Sequence, residues 1–274
     1  MRIFSIFVVM AGLLVGGPVK ASEFITVAST TSTQNSGLFG DILPKFTAQT
    51  GIEVRVIAVG TGQAIRVAER GDADVLFVHH RTSEEQFVYE GYGVERFDVM
   101  MNDFVIVGPA DDPADVKPAK TTGEALAAIA KSSASFVSRG DDSGTHKREK
   151  SLWNGASVDP QKASGAWYLE AGAGMGATLN MARGAGAYTL SDRGTWIAFK
   201  NKQGMDIVHQ GSDNLANPYG VILVNPKRHA HVKTDAGQAF IDWLVSAEGQ
   251  NAIATFKLDG EQLFFPTARK HAKK

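Results

Sequence analysis

The chain has 274 residues, of which 43% are hydrophobic, and its 28 basic and 29 acidic residues give a net charge of −1. This balance excludes the strongly basic surface that binds nucleic acid or anionic membranes. The absence of cysteine excludes a disulfide framework and a lipid-anchored start. A chain of this length can bury one large core or two moderate ones.

The first 21 residues have the features of a cleavable signal peptide. Arg2 gives a positive start, residues 3–15 are almost wholly apolar, and Val19 and Ala21 occupy the positions that a signal peptidase reads. The alternative is a retained membrane anchor, for which the apolar run is short. Cleavage removes Arg2 and Lys20 and leaves 26 basic against 29 acidic residues, a net charge near −3. We therefore expect a periplasmic protein.

The predicted elements of the first half alternate between strands and helices. Predicted strands cover residues 24–28, 53–59 and 74–78. Apolar residues at helical spacing predict one helix between residues 38 and 51 and another that follows residues 60–62. This order predicts a βαβαβ unit with a parallel sheet. In such sheets ligands bind beyond the carboxyl ends of the strands, where residues 29–33 and 60–62 would form loops.

The second half repeats the alternation. Predicted strands cover residues 103–107, 134–137, 167–170, 188–190 and 220–224, and predicted helices cover residues 122–130, 234–245 and 248–256. Further helices would open from residues 138–146 and run through residue 153, open from residues 172–176 and run through residue 183, and start at residues 191–195. The polar stretch 109–118 is interpreted as a lobe boundary. We predict an α/β fold of two lobes, each a mostly parallel sheet flanked by helices. Residues 22–108 would form the first lobe and residues 109–216 the second, and residues 217–274 would return to the first.

Residues 138–146 read Ser-Arg-Gly-Asp-Asp-Ser-Gly-Thr-His and are the most informative run in the chain. The Ser-Gly-Thr turn would open a helix whose first N–H groups and dipole favour an anion. Arg139 adds a planar, permanently charged donor, and Asp141 is placed to hold it. The run therefore predicts an oxyanion-binding site rather than a catalytic one. The alternative is an ordinary helix N-cap.

Several motifs together resemble the periplasmic tungstate-binding proteins of ABC importers. They are Thr-Thr-Ser-Thr at residues 30–33, Gly-Asp-Ala-Asp-Val at residues 71–75, the run at residues 138–146, and Tyr-Thr-Leu-Ser-Asp-Arg at residues 188–193. The Arg-x-Asp-x-Ser-Gly-Thr core is also similar to the phosphate-binding proteins of the same superfamily. The resemblance covers nearly the whole mature chain. It implies a type II periplasmic binding-protein fold with a ligand cleft between the lobes, and an inner-membrane ABC permease as partner.

The resemblance also assigns roles by position. The residues that it implies as anion ligands in the central run are Arg139, Ser143, Gly144 and Thr145. Asp141 would brace the guanidinium of Arg139. Arg193, in the later loop, would act as a second cation at the cleft, or would instead pair with Asp192.

The residues themselves predict further donors at the starts of other helices. Thr31 and Ser32 would supply hydroxyls, and Thr61 and Gly62 a hydroxyl and amides, with plain polar turns as the alternative. Met175 would supply a backbone amide, or its turn would serve only packing. A tungstate or molybdate dianion carries no proton at neutral pH, so its four acceptor oxygens match a site made of donors. We expect no cofactor, no resident metal and a monomer.

Two other ligand classes stay open. A phosphate receptor would need a carboxylate that accepts the proton of hydrogen phosphate, and Asp142 is the candidate. Residues 172–177 satisfy Gly-x-Gly-x-x-Ala, and Asp192 lies 20 residues beyond Gly172, as in the dinucleotide sites of oxidoreductases. The motif lies mid-chain after a short strand, which argues against an exported oxidoreductase.

Two histidine patterns suggest other kinds of site. His146 lies three residues after Ser143, a spacing that would suit a hydrolase, yet no Gly-x-Ser-x-Gly elbow is present. His79 and His80 are adjacent on a predicted strand, so their rings point to opposite faces and make a poor metal chelate. We expect neither catalysis nor metal binding there.

Overall fold

The computed structural model describes residues 23–268, so the predicted signal peptide at residues 1–21 lies outside the described residues. The strands are β1 Phe24–Thr30, β2 Glu53–Val59, β3 Val75–Val78, β4 Gly93–Pro109, β5 Phe136–Ser138, β6 Tyr168–Glu170, β7 Thr189–Asp192, β8 Met205–His209, β9 Ala216–Val224, β10 Lys257–Leu258, β11 Glu261–Gln262 and β12 Phe265–Pro266. The α-helices are α1 Thr31–Asn35, α2 Leu38–Thr50, α3 Thr61–Glu69, α4 Arg81–Tyr89, α5 Thr122–Ser132, α6 Gly144–Gly155, α7 Met175–Ala185, α8 Arg193–Ala198, α9 Thr234–Val245 and α10 Ala247–Thr255. Within residues 23–268 no helix combines the length and apolarity that a bilayer span requires.

The sheet of the first lobe has the strand order β12-β4-β9-β3-β1-β2. The predicted parallel unit is confirmed, because β1 pairs in parallel with β2 on one side and with β3 on the other. The expectation of a mostly parallel sheet is wrong in detail. Strand β9 runs antiparallel to both β3 and β4, which makes the sheet mixed.

Two long strands, β4 and β9, connect the lobes. Residues 93–103 of β4 pair with β9, and residues from Phe104 onward pair with β7 and β8 of the second lobe. The pairing therefore changes after Asp103, before the predicted boundary at residue 109. The sequence predicts only residues 103–107 as strand, because the charged residues Glu95, Arg96 and Asp98 interrupt the apolar pattern of the earlier part. The Arg96 side chain is nevertheless buried, and its charge is compensated by Glu84: Arg96 Nε donates to the Glu84 carboxylate at 2.7 Å.

The second lobe contains three strand pairings and its own apolar core. Strands β5 and β6 are parallel, whereas β7 and β8 both run antiparallel to the end of β4. Phe136, Trp153 and Tyr168 are fully buried in this core, as Phe46 and Phe240 are in the first. Because each lobe buries its own apolar residues, the cleft between them does not have to supply a core.

The starts of two helices at this cleft differ slightly from the predicted loops. The loop expected at residues 29–33 is wrong, because β1 continues to Thr30 and α1 begins at Thr31. The Thr30 side chain caps α1 by accepting from the N–H of Thr33. Helix α3 likewise begins at Thr61, directly after Gly60. Both helix N-termini therefore lie at the carboxyl ends of parallel strands.

Candidate anion-binding site

The loop that joins β5 to α6 holds Arg139 in a fixed position. Asp141 accepts a hydrogen bond from Arg139 Nη2 at 2.5 Å through Oδ2, and from the N–H of Ser143 at 3.2 Å through Oδ1. Gly140 and Asp142 have φ angles of 61° and 57°, which let the chain turn sharply on either side of Asp141. Asp141 thus ties the guanidinium to the start of α6.

Two buried donors, Arg139 in this loop and Thr145 in the first turn of α6, have no hydrogen-bond partner within residues 23–268, and the neighbouring His146 Nε2 also lacks one there. Arg139 is 3% exposed, and its Nε has no hydrogen-bond partner within residues 23–268. The hydroxyl of Thr145, 1% exposed, also lacks one in that part of the chain. Most buried polar groups in proteins are hydrogen-bonded, and each exception requires an explanation. Both groups donate hydrogen bonds, so a bound acceptor would satisfy them.

Ser143 is the N-cap of α6, as the alternative interpretation of this turn proposed. Its Oγ accepts from the N–H of His146 at 3.1 Å. This role does not exclude the predicted one, because a hydroxyl that accepts through a lone pair keeps its hydrogen for another partner. Ser143 is buried, as is the adjacent Gly144.

The first lobe contributes hydroxyls from the end of β1 and the start of α1. Ser32 is 3% exposed, and its Oγ lies 3.1 Å from Thr30 Oγ1 and 3.1 Å from His79 Nε2. Thr31, the first residue of α1, is half-buried. The first turn of a helix leaves its N–H groups without intrahelical acceptors, so this end favours an anion.

Helices α3 and α6 contact each other across the cleft. The N–H of Gly144 donates to Thr61 Oγ1 at 3.0 Å, and both residues are buried. The predicted Gly144 amide is therefore engaged by Thr61 in this structure. Thr61 accepts through a lone pair, so its own hydrogen stays available. Gly62 follows Thr61 in the first turn of α3 and is also buried.

His79 is the residue of the site that sequence reasoning missed. Its ring is buried between Ser32 of the first lobe and Asn217 of β9, whose Oδ1 lies 3.0 Å from Nδ1. A Cβ added to Gly144 would lie 3.0 Å from His79 Cε1, so the ring also borders the second lobe. Burial lowers the pKa of His79 to about 4, and the positive charge of Arg139 acts in the same direction. The available signal was its position at the carboxyl end of β3.

Asp142, the candidate proton acceptor for phosphate, lies at the mouth of the cleft. Its side chain is 63% exposed and forms ion pairs with Arg66 at 3.9 Å and Lys147 at 3.6 Å. Arg66 belongs to α3 of the first lobe and Lys147 to α6 of the second. Asp142 is thus a solvent-exposed contact between the lobes.

The structure does not bring Arg193 into this group of donors. Its guanidinium donates two hydrogen bonds to the Asp103 carboxylate, at 2.7 and 2.6 Å, and a third to Gln210. The alternative partner is also wrong, since Asp192 is occupied by Thr195 of its own helix. The physical reason is the pairing of two strands distant in sequence: β7 pairs with β4, which places Asp103 within reach of Arg193.

Met175 is the first residue of α7, and its side chain belongs to the core of the second lobe, beside Val105 and Leu179. Only its backbone remains for a ligand. The preceding loop lies next to the site, because the N–H of Ala173 donates to the carbonyl of Arg139 at 3.2 Å.

The two enzyme interpretations find no support in these contacts. The ring of His146 accepts from the N–H of Asp142 at 3.1 Å, and only its backbone contacts the Ser143 hydroxyl. For a dinucleotide, Asp192 would have to bind a ribose, but Thr195 donates to both of its carboxylate oxygens. Burial raises the pKa of Asp192, and these two hydrogen bonds and the charge of Arg139 oppose the rise.

Comparison with known proteins identifies the family of this chain. A profile of the PBP superfamily domain matches residues 18–248. The tungstate-binding protein TupA of Peptoclostridium acidaminophilum is 46% identical over 256 residues, which cover 92% of this chain and 88% of that protein. The chain belongs to the TupA family.

Two solved structures agree with this assignment. The tungstate-binding protein TupA of Desulfovibrio alaskensis G20 is 46% identical with a TM-score of 0.80, and the match covers 90% of this chain and all of that one. A structure described as the tungstate ABC transporter of Geobacter sulfurreducens is 50% identical with a TM-score of 0.79, covering 86% of this chain and all of that one. The two-lobed periplasmic binding-protein fold is thus the fold of this TupA-family chain.

Proposed function

We propose that this TupA-family protein captures tungstate, and also molybdate, as a fully deprotonated oxyanion in the cleft between its lobes. It then presents the anion to the permease of an ABC importer in the inner membrane. It acts in the periplasm, as a monomer and without catalysis. The ligands that we propose are the hydroxyls and first-turn amides at Thr31, Ser32, Thr61, Gly62, Ser143, Thr145 and Met175, together with the guanidinium of Arg139. The Gly144 amide is left out because it donates to Thr61.

The observation that carries this proposal is that two buried donors, Arg139 Nε and Thr145 Oγ1, have no partner among the residues that the structure describes. Leaving a buried donor unsatisfied costs about 1–3 kcal/mol, and more for a charged group. A tetrahedral dianion would satisfy both donors at once. Charge-assisted hydrogen bonds contribute roughly 1.5–3 kcal/mol each, so four or five of them support binding at tens of nanomolar or tighter.

Hydroxyls from both lobes support a ligand that only accepts hydrogen bonds. Ser143 and Thr61 each accept from a backbone N–H, of His146 and Gly144 respectively, which leaves the hydroxyl hydrogens free. Burying a dianion is costly unless nearly every oxygen is satisfied. Donors from two lobes that close on the ligand meet this requirement.

The carboxylates argue against hydrogen phosphate as the ligand. Asp141 is engaged by Arg139 and Ser143, Asp192 accepts twice from Thr195, and Asp142 lies at the exposed mouth of the cleft. Each oxygen of Asp141 and Asp192 thus already accepts a hydrogen bond from the protein, and the exposed Asp142 carboxylate is the remaining acceptor of the three. We therefore omit Asp142 from the site, and also Arg193, because Asp103 neutralises it.

Thermal denaturation with added anions tests the proposed function. Tungstate and molybdate at about 100 times their Kd should stabilise the folded protein by about 2.7 kcal/mol. Phosphate, sulfate and a nicotinamide nucleotide at the same concentrations should leave the melting temperature unchanged. An equal or larger shift with phosphate would favour the phosphate receptor, and a shift with the nucleotide would favour the oxidoreductase.

A further inference from the structure

A buried chain of hydrogen bonds runs from the cleft to the crossing strands. It begins at Ser32 Oγ, passes through both nitrogens of the His79 ring to Asn217, and continues from Asn217 to Asn102 at 2.7 Å. All four side chains are at most 5% exposed. Ser32 and His79 belong to the first lobe, whereas Asn217 and Asn102 lie on β9 and β4.

Two hydrogen arrangements are compatible with these contacts. If Asn217 presents its oxygen, the His79 ring carries its hydrogen on Nδ1, and Ser32 must donate to Nε2. If Asn217 presents its amide hydrogens, the ring carries its hydrogen on Nε2 and donates to Ser32. Only in the second arrangement is the Ser32 hydrogen released from His79, and it is free for a ligand when the Thr30 hydroxyl, 3.1 Å away, donates to Ser32 and does not accept from it.

The surroundings of Asn102 favour the second arrangement. In the first arrangement the Asn102 Nδ2 group is buried without a partner in the part of the chain that the structure describes. Rotation of both amides by 180° places that Nδ2 against the Asn217 oxygen and moves the Asn102 oxygen to the unpartnered position. Because a buried N–H without an acceptor is rarer in proteins than an under-satisfied carbonyl oxygen, this exchange favours hydrogen on His79 Nε2.

We propose that His79 is a positioning residue for anion selection, which donates from Nε2 to Ser32 and thereby turns the Ser32 hydrogen toward the cleft. This inference rests on the proposed function. With the hydrogen so directed, Ser32 offers a donor to a fully deprotonated oxyanion. In the opposite arrangement Ser32 would offer a lone pair, which suits a protonated anion such as hydrogen phosphate.

The charge state of the ring agrees with this role. Burial keeps the pKa of His79 low, so the ring is neutral at neutral pH and has one donor and one acceptor nitrogen. His80 provides a matched control. Its ring contacts Ser83 and caps α4, and within residues 23–268 it forms no hydrogen bond with Ser32.

A double-mutant cycle separates positioning through Ser32 from a structural effect. Tungstate affinity would be measured by calorimetry for the wild type, Ser32→Ala, His79→Phe and the double variant. We expect His79→Phe to weaken binding about tenfold in the wild type and less than about twofold in the Ser32→Ala background. His80→Ala should change the affinity less than about twofold. Additive losses in the cycle would overturn the proposal.

Nitrogen NMR of the tungstate-bound wild type tests the same point without a substitution. Protein labelled with ¹⁵N-histidine should show His79 as the neutral Nε2–H tautomer, assigned by the signal lost in His79→Gln. A Nδ1–H tautomer or an imidazolium would overturn the inference while the proposed function stands. A wild-type protein that binds no tungstate would refute the proposed function, and with it the role of His79.

Discussion

The backbone N–H of Gly144 donates a 3.0 Å hydrogen bond to the hydroxyl of Thr61 across the cleft between the lobes. A Cβ at position 144 would lie 2.8 Å from Thr61 Oγ1 and 3.0 Å from His79 Cε1. The two helix N-termini approach this closely because residue 144 has no side chain. Closure of the cleft therefore depends on glycine at this position.

Gly144→Ala should weaken tungstate binding at least tenfold, because the added methyl group separates α3 from α6. Gly155→Ala is the matched control, since it changes the last residue of the same helix and its added Cβ meets no atom within 4 Å. Calorimetric titration of both variants measures the difference. Equal affinities for the two variants would contradict the requirement for close approach.

Arg139→Ala should weaken tungstate binding by well over tenfold and leave the fold intact, as circular dichroism would show. The loss follows from the removal of the charged donor whose Nε has no partner in the described part of the chain. Arg139→Lys should also bind weakly, because a point charge cannot reproduce the planar guanidinium held by Asp141. An Arg139→Ala variant that titrates like the wild type would remove this residue from the site.

Arg193→Ala should leave the tungstate affinity within about threefold of the wild type. Its guanidinium is paired with Asp103, so the substitution should instead lower the free energy of unfolding by about 1 kcal/mol. Asp103→Asn should have a similar effect, and the double variant should show less than the sum of the two losses. Denaturant unfolding and calorimetry measure the two quantities. A tenfold loss of affinity in Arg193→Ala would place it among the ligands.

The sequence predicts the contacts of this site only where the contacting residues are close together along the chain. The contact between Arg139 and Asp141 spans two positions, so the order of residues in the loop was sufficient to predict it. His79 and Asn217 are 138 positions apart, and Arg193 and Asp103 are 90 apart. Only the pairing of β3, β4, β7 and β9 brings these partners together, and sequence reasoning did not assign that pairing.

The fold, too, is predictable from the sequence only where local patterns specify it. The parallel arrangement of β1, β2 and β3 follows from alternating apolar strands and helices, which are visible as local patterns. The sequence does not predict the first ten residues of β4 as strand, because charged residues interrupt their apolar pattern. Arg96 is buried by an ion pair with Glu84 of α4, so a charge in the sequence does not mark an exposed position here.

Glu149→Gln should remove part of the pH dependence of stability. Burial raises the pKa of Glu149 from 4.5 to about 7, although the Tyr168 hydroxyl donates to it at 2.7 Å. Because the folded-state pKa is the higher one, the stabilisation from this carboxyl is complete below about pH 4.5 and is lost as the pH rises to about 7.

Denaturant unfolding at about pH 5 and pH 7.5 measures this effect. The wild-type free energy of unfolding should fall by about 2–3 kcal/mol more than that of Glu149→Gln across this interval. Burial also raises the pKa of Glu84 to about 7 and lowers that of His79. Both groups change the free energy of unfolding of the two proteins equally, so their effects cancel in the comparison. Glu95→Gln, at an exposed position, should follow the wild type. An equal fall in the free energy of unfolding for the wild type and Glu149→Gln between the two pH values would contradict the prediction.

Anomalous diffraction from crystals of the tungstate complex tests the central claim most directly. The account predicts one strong tungsten peak between the lobes, about 4 Å from Arg139 Nε and from Thr145 Oγ1, the distance at which a coordinated oxygen accepts a hydrogen bond. A tungsten peak only on surface lysines, with both of these donors still unpartnered, would contradict it.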